Sequence, residues 1–152
     1  MKLADLMIGD WCRIKENVEP DAYFLIDGML PGQFVKVEEI LSIGINADWI
    51  GGEVNNVLPG DAIEAIPLTV EILERIGFRQ FHPSTRLWAI GGKVFCDLHC
   101  PLDGRIMIGC GGTSYELRYV HQLQHALRLC GINKEITVEQ LYGKEENRTD
   151  AV

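Results

Sequence analysis

The stretch Tyr119-Val-His-Gln-Leu-Gln-His-Ala-Leu-Arg-Leu-Cys-Gly-Ile132 constrains this chain more than any other. Placed at about 100° per residue, Tyr119, Val120, Leu123, Ala126, Leu127 and Cys130 share one arc, and His121, His125 and Arg128 share the opposite side. Gly131 stands where a helix C-terminus takes a glycine. The spacing predicts a helix over 119–131. Its apolar arc must be covered, and the preceding segment has the grammar of a sheet. Arg86–Ile90, Lys93–His99, Arg105–Cys110 and Thr113–Arg118 read as four strands, with turns at Gly91-Gly92, Pro101–Gly104 and Gly111-Gly112. Trp88, Ile90, Val94, Cys96, Leu98, Ile106, Ile108, Tyr115 and Leu117 recur on the two-residue period that places them on one face. A helix laid on that face makes a two-layer unit.

Upstream, Thr69 is a good N-cap, Glu71 and Glu74 suit the early turns, and Gly77 ends the pattern. A short helix is expected over Val70–Ile76, with Leu73, Ile76 and Phe78 facing in. Before it, residues 5–10 read as a helical or turn entry to a strand near Trp11. An irregular stretch follows, in which Tyr23–Ile26 is a strand or a folded loop. Gln33–Ile40, Leu41–Trp49, Glu53–Val57 and Asp61–Ile66 then read as short strands between Gly and Pro turns. The expected fold class is therefore α+β. Residues 1–68 are expected to form a small SH3-like β-barrel, the alternative being a plain meander packed on the second half. Residues 69–142 form a short helix and a four-stranded antiparallel meander covered by a C-terminal helix. Ile136-Thr-Val138 reads as a short added strand, and 143–152 as a disordered tail.

An apolar share of 47% is ample for a buried core. No apolar run approaches the roughly 18–20 residues of a membrane span. Asp5 and Asp10 interrupt any signal-peptide core, so a cytoplasmic protein is expected. Cysteines at 12, 96, 100, 110 and 130 are odd in number, which argues against a disulfide framework. Charge is unevenly placed. Residues 1–68 carry 4 basic and 12 acidic side chains, a net −8, whereas 69–132 carry 7 basic and 5 acidic, a net +2. Nucleic-acid binding needs a concentrated basic surface. The first part is a poor candidate for that, and the second is a faint one.

The histidines invite a site reading. His121 and His125 have the four-residue spacing that lets two imidazoles share a metal, but Gln122 stands where H-E-x-x-H has its glutamate. Further ligands would have to come from Cys96, His99, Cys100 or Cys110, and strand alternation sends Cys96 and His99 to opposite faces. The same alternation separates Cys100 from His99 as a nucleophile and base. Gly109-Cys-Gly-Gly112 lacks the lysine and hydroxyl residue of a phosphate loop and is explained by a hairpin turn. No catalytic, metal or cofactor role is assigned. His121, His125, Arg128 and Arg118 can instead form a contact strip for an anion or a partner. Trp11, Tyr23, Phe24 and Trp49 can line an aromatic groove on the barrel, and its acidic surface favours a basic partner.

Three motifs carry a family likeness: Leu3-Ala-Asp-Leu with Gly9-Asp-Trp11; Ile66-Pro-Leu-Thr-Val-Glu-Ile-Leu-Glu-Arg-Ile-Gly-Phe78; and Tyr119 to Ile132. Together they resemble a group of small uncharacterised proteins of Bacteroidales, often encoded in prophages and other mobile elements. The likeness covers most of the chain in outline. It implies a phage or mobile-element setting and transfers no activity. The expected function is a non-enzymatic binding or adaptor protein contacting another protein, with self-association left open and no membrane. The alternative is nucleic-acid or phosphate-ligand binding through Arg79, Arg86, Arg105, Arg118, His125 and Arg128.

Overall fold

The computed structural model describes residues 2–18, 30–49, 52–53, 57–80, 87–90, 94–100, 105–110 and 113–142. The expected strand or loop at Tyr23–Ile26, the turns at 91–92, 101–104 and 111–112, and the tail 143–152 lie outside the described residues. The fold is mixed α+β, and the chain divides into two units, Met1–Ile66 and Pro67–Val152. No described helix is long and apolar enough to cross a membrane.

In the first unit a 3-10 turn, Leu3–Asp5, precedes β1 (Trp11–Ile14), β2 (Phe34–Leu41), β3 (Gly44–Trp49), β4 (Gly52–Glu53), β5 (Leu58–Pro59) and β6 (Ile63–Ala65). A second 3-10 turn, Gly60–Ala62, takes up the start of what the sequence presents as one last strand, Asp61–Ile66. The sheet order is β4-β3-β2-β1-β6, with β5 also pairing β3, and all pairs are antiparallel. β2 serves two neighbours, since Lys36 lies opposite both Trp11 and Asp48. Strand alternation selects the core. Cys12 and Ile14, Val35 and Val37, and Ile45 and Ala47 are buried with Leu6, Leu58, Ala62 and Ile63 in one cluster. Each large aliphatic buried there contributes about 1.5–3 kcal/mol. Arg13 and Glu64 are directly opposite on β1 and β6 and pair at 2.6 Å, which favours this register over a slipped one.

The second unit runs α1 (Val70–Ile76), β7 (Arg79–Gln80), β8 (Leu87–Ile90), β9 (Val94–Cys100), β10 (Arg105–Cys110), β11 (Thr113–Leu117), α2 (Val120–Leu129) and α3 (Val138–Tyr142). The first helix forms as its ends dictate. Thr69 Oγ1 accepts the Ile72 amide, and Gly77 adopts φ +114°, a left-handed value that glycine takes without a Cβ penalty. The amides of Gly77 and Phe78 then both donate to the Leu73 carbonyl. That sharp closure turns the chain straight back into β7. The sheet is consequently five-stranded, order β11-β10-β9-β8-β7, one strand more than the expected four.

The buried side chains of this unit come from every layer. They are Ile72, Leu73 and Ile76 of α1, Ile106 and Ile108 of β10, Leu123 and Leu127 of α2, and Phe78, Ile136 and Leu141. The short strand expected at Ile136-Thr-Val138 is corrected: α3 begins at Val138. The side chain of Gln140 accepts the Thr137 amide at 2.9 Å, the reciprocal half of a T-x-x-Q capping box. Local capping outweighs the β-branched preference of three residues. α1 and α3 clasp each other, with Arg75 Nη1 donating to the Leu141 carbonyl and Gln140 Nε2 to the Arg75 carbonyl.

Candidate functional site

α2 carries the side chains that the sequence singles out. Its N-terminus is held by Gln122, whose side-chain oxygen accepts the amides of Arg118 at 2.8 Å and Tyr119 at 3.2 Å. Gln122 is the third residue of the helix, so its bond to the N-cap Tyr119 amide is the reciprocal half of a capping box, and the Arg118 amide just ahead of the helix is held by the same oxygen. Gln122→Ala is expected to cost about 1 kcal/mol, read as a lowered urea midpoint at unchanged slope.

His121 does not stand on the outer side of this helix, where the helical projection puts it. It is 5% exposed, and Gln124 is buried as well. The ring of Tyr119 stacks on His121 at 5.9 Å between centroids, and His125 meets His121 edge-on at 5.7 Å. His125 is half-buried, while Arg128 and Arg118 are exposed. Arg118 Nε is also paired with Glu116 at 2.9 Å. His121, His125, Arg128 and Arg118 therefore do not form one continuous exposed strip. The reason lies in how the helix is covered. At about 100° per residue the buried positions sweep an arc of about 220°, wider than a single amphipathic stripe. The widening comes from the first turns, where Val120, His121 and Gln124 are all buried, and fades by Arg128.

The remaining basic residues are dispersed in role. Arg79 Nη1 donates to the carbonyls of Glu74 and Phe78 at 2.8 and 2.9 Å, so it ties down the C-terminus of α1. Arg86 and the side chain of Arg105 lie outside the described residues, as do the side chains of Cys96, His99, Cys100 and Cys110. Among the described residues no three His, Cys, Asp or Glu side chains converge as a metal site would require.

In the first unit Trp11 shares the strand face of Arg13, away from Cys12 and Ile14, and yet is only 7% exposed. It presents little ring surface to a partner. Trp49 ends β3, and its side chain, with Tyr23 and Phe24, lies outside the described residues. Cys12 is fully buried. Burial first, and the Asp10 carboxylate second, push its thiol up to about 12. The thiolate is the reactive form. Iodoacetamide added to the native protein at pH 8 is expected to leave Cys12 unmodified while the half-buried Cys130 reacts, as mass spectrometry of the digest will show. Because the folded value lies above the ordinary 9.0, this neutral thiol favours folding below pH 9, and that contribution is lost as pH climbs from 9 towards about 12.

A site the sequence did not single out precedes β1. The Asp10 side chain, with no exposed surface, accepts the Met7 amide at 2.8 Å through Oδ2, and the Asp10 amide donates back to the Met7 carbonyl at 3.1 Å. The Gly9 amide donates to the Val37 carbonyl at 2.7 Å, and the Val37 amide to the Asp10 carbonyl at 2.8 Å. The turn is thus braced within itself and against β2. It leaves Met7 50% and Ile8 65% exposed. Gly9-Asp10 signals the turn in the sequence. Which side chains the turn leaves in water is not so signalled, since apolar residues ahead of a strand resemble core.

Comparison with known proteins finds no matching family model, no matching curated protein and no matching solved structure.

Proposed function

We propose that this chain is a non-enzymatic binding or adaptor protein that contacts another protein in the cytoplasm, in a phage or mobile-element setting. One observation carries the reading. Ile8 and Ile43, 65% and 71% exposed, are held in water by ordered backbone, one by the braced turn and one by the β2–β3 hairpin. Large aliphatic groups fixed in solvent are suited to burial against a partner, because little ordering entropy remains to be lost on contact. The acidic excess of residues 1–68 favours a basic partner.

The first unit is read further as a small SH3-like barrel. Three features support this: β1 sits between β6 and the start of β2, β2 is shared between two sets of neighbours, and a 3-10 turn joins β5 to β6. The second unit offers less to a nucleic acid, since Arg79 and Arg118 are engaged with groups of their own chain.

The test is site-specific photo-crosslinking in cells that carry the gene, with the reactive residue at Ile8, Ile43 or the exposed Glu74. Adducts of defined mass from Ile8 or Ile43, absent from Glu74, are expected, and a mass of two chains would identify self-association. No adduct from either position, or the same smear from all three, overturns the reading. The mobile-element setting predicts a transcript that rises on prophage induction. A level unmoved by the inducing agent would remove it.

A further inference from the structure

The Met7–Asp10 turn meets β2 at an irregular point. Val37 lies opposite Ala47 and Glu39 opposite Asn46, so Glu38 is an extra residue, a β-bulge. The bulge directly follows Val37, whose carbonyl and amide hold the turn. Glu38 and Glu39 are exposed there, and Asp5 is exposed just ahead of Met7. Glu39 is further oriented by Asn46, whose Nδ2 donates to it at 2.7 Å. Two large exposed apolar side chains on a hydrogen-bonded turn thus have three exposed acidic residues close by along the fold, Asp5 two positions ahead of Met7, and Glu38 and Glu39 directly after the residue that holds the turn.

We propose that this turn is a docking site for a basic amphipathic protein segment, in which apolar side chains bury Met7 and Ile8 while flanking lysine or arginine meets Asp5, Glu38 and Glu39. The inference rests on the protein-contacting reading above and names the surface and the partner's chemistry. Charge complementarity selects the occupant. A second acidic copy of this unit or an anionic lipid surface would bring like charge onto the rim, which disfavours contact. The turn is preorganised, so contact orders little that is not already ordered.

The probe is a synthetic amphipathic Lys/Leu peptide, titrated into the full ¹⁵N-labelled chain, with a Glu/Leu peptide of the same pattern as control. Amide shifts are expected at Met7, Ile8, Gly9 and Glu38, with affinity falling as salt screens the rim. Met7→Ser with Ile8→Ser leaves net charge unchanged and, both side chains being exposed, leaves melting unchanged. It is expected to weaken the Lys/Leu peptide about tenfold or more, whereas Ile43→Ser has no such effect. Glu38→Gln with Glu39→Gln weakens it in a salt-dependent way. Equal binding by the Met7/Ile8 variant, shifts spread over the unit without focus on the turn, or equal binding of the Glu/Leu peptide overturns the proposal. Photo-crosslinks that form from Ile43 and never from Ile8 would overturn this site while leaving the protein-contacting reading standing.

Discussion

Replacing Phe78 by alanine is expected to remove about 3–5 kcal/mol of stability from the second unit. Phe78 is fully buried and heads the fully buried side chains in size among the described residues. Its removal loses the transfer free energy of a benzyl group and leaves a cavity that the neighbours fill only in part. The position cannot relax easily. Gly77 fixes the chain direction on one side, the Phe78 amide is held by the Leu73 carbonyl, and β7 starts at the next residue. Small domains hold about 5–15 kcal/mol in all, so roughly a fifth or more of that reserve is at stake. In urea, at a slope of about 1.5 kcal/mol/M, the midpoint should fall by about 2–3 M. Phe78→Leu keeps most of the volume and should cost under about 1.5 kcal/mol. A loss below about 1 kcal/mol for the alanine variant would show that the ring does not fill the core.

How far such residues were legible follows from how local their causes are. Thr69, Gly77 and Phe78 could be placed from the sequence because a cap, a left-handed closure and the apolar residue behind it act within one helix. The strands β8 to β11 were legible for a similar reason, their apolar period being bounded by glycine and proline turns. α3 was equally local, and Thr137-x-x-Gln140 is its signature. The β-branched run Ile136-Thr-Val138 masks it, because its strand propensity points against the helix that the capping residues start.

His121 lies deeper than the helical projection puts it, and Trp11 deeper than a groove lining requires, both for a non-local reason. A helical projection averages over the whole element, whereas α2 is more deeply covered at its first turns than at its last. Two-residue alternation sends Trp11 to the outer face of β1, and only the full fold decides that this face is covered there as well. The Met7–Ile8 surface belongs to the same class. Whether an apolar residue beside a turn is core or contact depends on what lies across from it, which no local pattern records.

Gly44→Ala carries the second large expected effect, and it concerns the first unit. A glycine ending a tight hairpin suggests a need for unusual backbone angles, but Gly44 is not among the glycines with positive φ. Its constraint is space. A Cβ at this position would run into the Leu58 carbonyl oxygen, and would lie 2.8 Å from the carbonyl carbon and 2.7 Å from Val57 Cγ1. The obstacle is largely backbone, so rotamer changes cannot relieve it. β3 and β5 must separate, and their pairs Gly44↔Pro59 and Ile45↔Leu58 bring together two fully buried side chains of the core. Close approach of two backbones is a recognised reason for glycine inside a strand. The cost should reach about 3 kcal/mol, the upper end for an overpacked site. Native-state hydrogen exchange gives the sharper readout. The amides of Ile45 and Leu58 should lose protection in the variant, whereas Leu123 and Leu127 of α2, in the other unit, should keep theirs. A change below about 0.5 kcal/mol with protection intact would mean that β5 does not lie against Gly44, and the pairing that brings the 3-10 turn and β6 back to β1 would have to be redrawn.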